Sequence, residues 1–287
     1  MDITEALVRN LLRDQYPDLA DLELREVIGG WGNQMWRLGD ELAVRMPRQA
    51  GAPQQLELEY RWLPAMADRL PLPVPTPVRR GAPSERFPYP WLITQWVHGE
   101  PADREFVTAD ESGTTLGEFL RALHVPAPAD VPPTPRTGML QLGHIDHFFD
   151  NVEPGDVVRE IWADAVAAPA WDGAPLLVHT DLHPANLVVA DGRLAGVIDF
   201  GDLGSGDPAI DISAAWTLLP DGAAKRFFES YPVDDATFRR ARGHAVQKAL
   251  FVLAMANNGD KGLPGGKPTW RAAGELALER GVGRSTR

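Results

Sequence analysis

The first hundred residues switch repeatedly between two hydrophobic periods. Ile3, Leu7, Leu11 and Leu12 recur at helical spacing and predict an amphipathic helix over 3–14. From Leu22 the period drops to two, which predicts a strand over 22–28 that runs into the turn Gly29-Gly30-Trp31-Gly32-Asn33. Residues 34–38 and 42–46 predict two further strands, turned at Gly39-Asp40. A helix is expected over 54–69, closed by the proline-rich run 71–75, and then a strand over 91–97 that ends at Gly99.

Beyond that point the texture changes. Helical patterns cover 111–124 and 152–168, separated by a proline-rich loop over 125–138. A strand-turn-strand follows at 187–198, and the rest reads as helices over 209–219, about 234–256 and 268–280. Strands cluster early and helices late, which is an α+β pattern. It predicts a small strand-rich lobe, residues 1–97, and a larger helical lobe, residues 98–287.

Composition narrows the class. With 44% hydrophobic and 24% charged residues the chain reads as globular, and 287 residues suffice for a substantial apolar core. No apolar run approaches membrane-spanning length, and the first residues lack the basic start and apolar stretch of a signal peptide, so the cytoplasm is the expected compartment. The absence of cysteine excludes disulfides, thiolate nucleophiles and cysteine-ligated zinc. A formal net charge of −12 argues against a sequence-independent nucleic-acid binder and would suit a cationic ligand, although solubility alone accounts for it equally well.

The chemistry concentrates in His179-Thr180-Asp181-Leu182-His183-Pro184-Ala185-Asn186, followed by Asp199-Phe200-Gly201. Between them two apolar runs flank Asp191-Gly192, a strong hairpin signal. Closing that hairpin is expected to bring Asn186, at its entry, toward Asp199, at its exit. A loop aspartate, an amide oxygen and a second carboxylate suit phosphoryl transfer, which asks for positioning and charge neutralisation more than covalent help. Mg²⁺ takes hard oxygen ligands, which Asn186 and Asp199 supply, and Asp181 would hold the acceptor hydroxyl and take its proton.

Four residues separate Asp181 from Asn186, and Asp-Phe-Gly follows on a hairpin, as in the kinase catalytic loop. More narrowly, with His179-Thr180-Asp181, Ile198-Asp199 and Gly206-Asp207-Pro208 leading to Asp211, the chain resembles the aminoglycoside phosphotransferase family of antibiotic and metabolite kinases. Only a few residues lie between Gly201 and Gly206 and no Ala-Pro-Glu follows, so a protein substrate is not expected. The resemblance implies a bilobal protein-kinase-like fold, ATP or GTP as phosphoryl donor, and Mg²⁺. It places Gly29, Gly30 and Gly32 over the phosphates, a role for which a plain glycine turn is the competing reading. Arg45 takes the place where relatives carry lysine, and Glu59 is its expected ion-pair partner, with Glu57 the competing choice. The backbone of Gln95-Trp96-Val97 would meet the purine edge. Asp211 would steady the catalytic loop, or else simply satisfy a helix N-terminus.

For the acceptor, the resemblance and the acidic segment 138–178 point first to an aminoglycoside and next to a macrolide. Choline, homoserine or an amino sugar are the metabolite alternatives. Asp146, Asp150, Asp156 and Glu160 are the candidate substrate contacts, and Asp156, Glu160 and Asp164 would fall on one helix face. A solvated outer face explains that stripe equally well. Trp162, Trp171 and Trp216 are expected in the core rather than in a sugar pocket. Two decoys are set aside. Gly266-Lys267 lacks the Ser/Thr and preceding strand of a P-loop, and His179-x-x-x-His183 lacks the glutamate of a metalloprotease helix. A two-metal phosphoesterase would need histidines beyond His183, where only His244 remains, and a non-catalytic binding protein would be expected to have lost Asp181, Asn186 or Asp199.

Overall fold

Alternation of side chains along each early strand builds a sheet with two unlike faces. The computed structural model describes residues 2–27, 32–49, 51–134, 136, 152 and 155–283. It divides into two units, Met1–His98 with Val197–Asp202 and Gly99–Gly196 with Leu203–Arg287. In the first, β1 (Leu24–Val27), β2 (Asn33–Leu38), β3 (Leu42–Pro47), β4 (Pro77–Gly81) and β5 (Trp91–Gln95) form an antiparallel sheet in the order β1-β2-β3-β5-β4. Trp36, Leu38, Val44, Met46, Trp91 and Ile93 share one core with Val8, Leu11 and Leu12 of helix α1 (Glu5–Gln15). Thr4 caps that helix, its hydroxyl accepting from the Leu7 N–H at 3.3 Å.

Residues of β3 that alternate with Val44 and Met46, namely Ala43 and Arg45, are buried as well. Arg45 meets helix α2 (Ala52–Ala67), whose buried stripe runs Ala52, Leu56, Glu59, Leu63, Met66. An acid in the middle of an apolar stripe demands a partner. Strand β4 has no counterpart in the sequence pattern. Its Arg79 and Arg80 are exposed, it pairs only with β5, and a register shift interrupts it after Pro77. Such a charged edge carries no period-two signal. Its last residue must be glycine, since a Cβ on Gly81 would lie 1.9 Å from the Trp91 ring.

The second unit is mainly helical. Its strands are short: β6 (Glu100–Pro101), β8 (Leu187–Ala190) and β9 (Arg193–Val197) in one sheet, β7 (Leu176–Val178) and β10 (Gly204–Gly206) in another. Asp191 and Gly192, with φ of 52° and 72°, make the tight turn between β8 and β9. Among the described residues the helices are α3 (Ser112–Leu123), α4 (Asp156–Ala167), α5 (Ala209–Ile212), α6 (Ala214–Thr217), α7 (Ala223–Ser230), α8 (Asp235–Asp260) and α9 (Arg271–Val282). The long α8 is the spine, with Val246 and Leu250 packed against Val158, Ile161 and Trp162 of α4.

The single helix expected over 209–219 is two turns, α5 and α6. They part at Ser213, whose hydroxyl bonds back to the Ile210 carbonyl at 2.5 Å. Trp162 and Trp216 lie in the core, while Trp171 is half-buried and donates its indole N–H to the Ala174 carbonyl. Among the described residues no helix is long and apolar enough to cross a membrane.

His244 of α8 is buried, and that burial pulls its pKa down to about 4. A depressed histidine favours the native state fully above its unfolded value near 6.5, and the benefit fades as pH falls toward 4. Urea unfolding at pH 7, 5.5 and 4.5 is expected to show stability declining by up to about 3 kcal/mol from this group. A His244→Gln protein should lose most of that slope. An equal slope in both proteins would assign the acid sensitivity elsewhere.

Candidate active site

In the first unit the charged residues converge on Arg45. Its guanidinium forms a buried ion pair with Glu59, and its second amino group stands 3.6 Å from Asp199 Oδ1. Burial opposes the Arg45 charge, but Glu59 and Asp199 outweigh it and raise its pKa. Burial pushes the Glu59 carboxyl up to about 7, against the pull of Arg45. The competing acid, Glu57, faces outward and pairs with Arg80 at 3.1 Å. Asp199 has a left-handed backbone, φ 63°, and a half-exposed carboxylate. Three residues on, Asp202 accepts from the Gln55 side chain of α2 at 3.1 Å.

Gln95 is exposed at the end of β5 and Val97 is buried. The Gln95 N–H is spent on the Thr76 carbonyl and the Trp96 N–H on the Glu41 carbonyl. Gly32 is described, its carbonyl accepting from the Arg48 N–H, whereas Gly29 and Gly30 lie outside the described residues.

In the second unit, β7 runs into the loop that carries Asp181. Thr180 has φ 73°, which is costly for a β-branched residue and persists only where the surroundings impose it. Asp211, fully buried in α5, imposes it. Its two carboxylate oxygens accept from the His179 N–H at 2.6 Å and the Thr180 N–H at 2.8 Å. His124, at the end of α3, adds Nε2 at 3.1 Å, and its Nδ1 meets the Tyr231 hydroxyl at 2.8 Å. Burial alone would raise the Asp211 pKa, but His124, His179 and Lys248 outweigh it and hold it low. Its hydrogen bonds go to the catalytic-loop backbone, so the loop-steadying role describes this geometry better than helix capping does.

The next residue, Asp181, is half-buried beside Arg136 and His183. Arg136 Nη1 lies 2.5 Å from Oδ1, and His183 Nε2 stands 3.7 Å from Oδ2. The Asn186 side-chain N–H group donates to the Asp181 carbonyl at 2.9 Å. Against the upward push of burial, His183, Arg136, His179 and Lys248 keep the Asp181 carboxyl below its ordinary range. Asn186 closes a 3₁₀ turn begun by Pro184, and the chain passes directly into β8. With its nitrogen spent on Asp181, the Asn186 amide presents its oxygen as the remaining group, which is the donor a hard cation takes.

The two histidines of the His179-x-x-x-His183 spacing serve the loop. His179 Nδ1 accepts from the Asp181 N–H and His183 Nδ1 from the Ala185 N–H. Among the described residues no group of three or more His, Cys, Asp or Glu side chains could hold a metal. Asp156 and Glu160 are exposed on α4, the third acid of that face, Asp164, is paired with Arg239, and Asp146 and Asp150 lie outside the described residues. Arg136, His124 and Lys248 escaped the sequence reading. Arg136 sits in a proline-rich loop without periodicity. The other two occupy helical positions where polar residues carry no signal of their partners.

A family model described as "Phosphotransferase enzyme family" matches residues 23–244. An aminoglycoside 3'-phosphotransferase of Escherichia coli is 25% identical over 182 residues, 56% of this chain and 65% of that protein. The chain thus spans slightly under two thirds of the length of that curated relative. Among solved structures, the GDP complex of wild-type aminoglycoside 2'-phosphotransferase-IIIa aligns with a TM-score of 0.70 at 18% identity, covering 98% of this chain and 99% of that one. The apoenzyme of macrolide 2'-phosphotransferase MphH from Brachybacterium faecium aligns with a TM-score of 0.61 at 21% identity, over 96% and 98%. The fold is therefore the α+β one that the element pattern predicted and the kinase-like one that the resemblance implied.

Removing the Asp211 carboxylate strands two buried N–H groups and His124. Asp211→Ala is expected to lower the unfolding free energy by about 3 kcal/mol or more. A denaturant midpoint unchanged from the parent protein would contradict the clamp.

Proposed function

The chain belongs to the phosphotransferase enzyme family, and from that premise we propose that it is a Mg²⁺-dependent kinase that phosphorylates a hydroxyl of a small-molecule acceptor. The observation that carries this reading is the setting of Asp181. Its carboxylate is ionised at neutral pH, fixed in direction by a clamped loop, and placed next to an asparagine whose oxygen is left for a cation.

Asp181 orients the acceptor hydroxyl and receives its proton as the oxygen attacks the γ-phosphorus. Arg45, aimed by Glu59, steadies the phosphates. The backbone at Gln95 and Val97 receives the purine edge. The donor set fits a hard cation, with Asn186 supplying a neutral oxygen and Asp199 a carboxylate. When bound, Mg²⁺ neutralises the charge of the transferred phosphoryl group. The donor is ATP or GTP.

An aminoglycoside is the first acceptor class, supported by the relative named above and by the exposed acids Asp156 and Glu160, which suit a polycation. A macrolide is second, supported by the shared fold of a macrolide phosphotransferase. A coupled nucleotide-consumption assay over both classes, run with ATP and with GTP, tests the reading. No acceptor-dependent turnover with any of them would sink it.

Asp181→Ala is expected to lower transfer by about 10²-fold or more while nucleotide affinity stays within a few-fold, measured by turnover and calorimetric titration. Retained turnover would exclude Asp181 from the chemistry. Asp199→Ala should weaken nucleotide binding in the presence of Mg²⁺ and leave Mg²⁺-free binding nearly as it was. Equal losses in both titrations would contradict a metal role.

A further inference from the structure

Both oxygens of the Asp181 carboxylate face cationic or donor groups before any acceptor arrives. Arg136 Nη1 sits on Oδ1 at 2.5 Å, while His183 Nε2 at 3.7 Å and Asn186 Nδ2 at 3.5 Å face Oδ2. The His183 and Asn186 contacts are long and belong to the loop itself. The Arg136 contact is short and comes from a distant segment.

That segment is anchored firmly. Pro133 bridges to Ser205 of β10, the Thr134 N–H donates to the Ser205 carbonyl at 3.1 Å, and the Ser205 N–H to the Pro132 carbonyl at 2.9 Å. Thr134 then holds the Arg136 N–H through its hydroxyl at 3.2 Å. The strand β10 pairs with β7, which leads into the catalytic loop. The guanidinium is thus delivered to Asp181 by backbone pairing. Its side chain is 38% exposed and that of Asp181 27%, so water reaches the pair and a competing ligand can part it.

We propose that Arg136 is a specificity-determining residue that guards Asp181: it occupies the oxygen meant for the acceptor hydroxyl and is displaced when the acceptor binds. This rests on the assignment of Asp181 as the proton-receiving group. In transfer or in hydrolysis, the attacking oxygen bonds to the γ-phosphorus. The bond from that phosphorus to the β–γ bridging oxygen breaks, its electron pair leaves with the nucleoside diphosphate, and the proton of the attacking oxygen passes to Asp181. Water is small and gains too few contacts to displace the guanidinium, whereas a multi-contact acceptor can. Arg136 thereby holds back wasteful hydrolysis of the triphosphate at the cost of some acceptor affinity.

The test compares the parent protein with Arg136→Ala and Arg136→Gln, using ATP or GTP with Mg²⁺. Acceptor-free hydrolysis is expected to rise, and the acceptor KM to fall by about two- to fivefold, the range set by an exposed ion pair, equally in both variants. Hydrolysis that is unchanged or lower, a higher acceptor KM, or a difference between the Ala and Gln proteins would overturn the proposal. The hydrolysis arm needs no acceptor. A parent protein that turns over none of the acceptors therefore sinks the kinase reading without deciding the role of Arg136, which the hydrolysis rates decide alone.

Discussion

One buried carboxylate holds the loop that carries Asp181 in shape. Asp211 has no solvent exposure, and its two oxygens take the N–H groups of His179 and Thr180 together with His124. The chain turns so that these two consecutive N–H groups converge on one carboxylate. The positive φ of Thr180 is that turn. Asp181 follows directly on that kink and on the two clamped N–H groups. The cost of desolvating Asp211 is offset locally by charge-assisted hydrogen bonds, the strongest kind available to a carboxylate. The loop is therefore positioned from below by a group that need not touch substrate.

The same balance recurs wherever charge is buried. Lys248 of α8 is half-buried and donates to the Ile210 carbonyl at 2.8 Å, and its burial lowers its pKa to about 8 against the pull of Asp211 and Asp181. Arg240 is matched by Asp207 at 2.7 Å. The chain carries a net charge of −12, yet Arg136 and Lys248 both act on Asp181, and Lys248 acts on Asp211 as well. The surplus of acid lies on exposed faces such as that of α4, where water screens it.

Much of this was legible because it is periodic or fixed by local chemistry. The period-two run at β1, the apolar runs at β2, β3 and β5, and the Asp191-Gly192 turn announced themselves. Glu59 stands four residues before Leu63 and three after Leu56, in phase with the apolar stripe of α2, which separates it from the outward Glu57. What stayed hidden depends on tertiary placement. β4 is an edge strand with one proline and two arginines, and β7 and β10 are three residues each, too short to show a period. Arg136 carries no local mark, since its position is set by a backbone pairing between a proline-rich loop and Ser205.

The segment Val197–Asp202 shows how side chains can override chain order. It follows β9, yet it packs with the first unit. The Val197 N–H donates to the Pro73 carbonyl at 3.1 Å, Arg45 reaches Asp199, and Gln55 bonds Asp202. Phe200 is fully buried, and a Cβ on Gly201 would already press on Gln55 at 2.9 Å. An arginine at position 45 fits this role in a way lysine would not. Its planar fork faces Glu59 with one amino group and Asp199 with the other, whereas an ammonium is a single point of charge on a flexible stem. A guanidinium here ties α2 to the Asp-Phe-Gly segment through one side chain. Arg45 thus holds the segment through two contacts while keeping a positive charge beside Asp199.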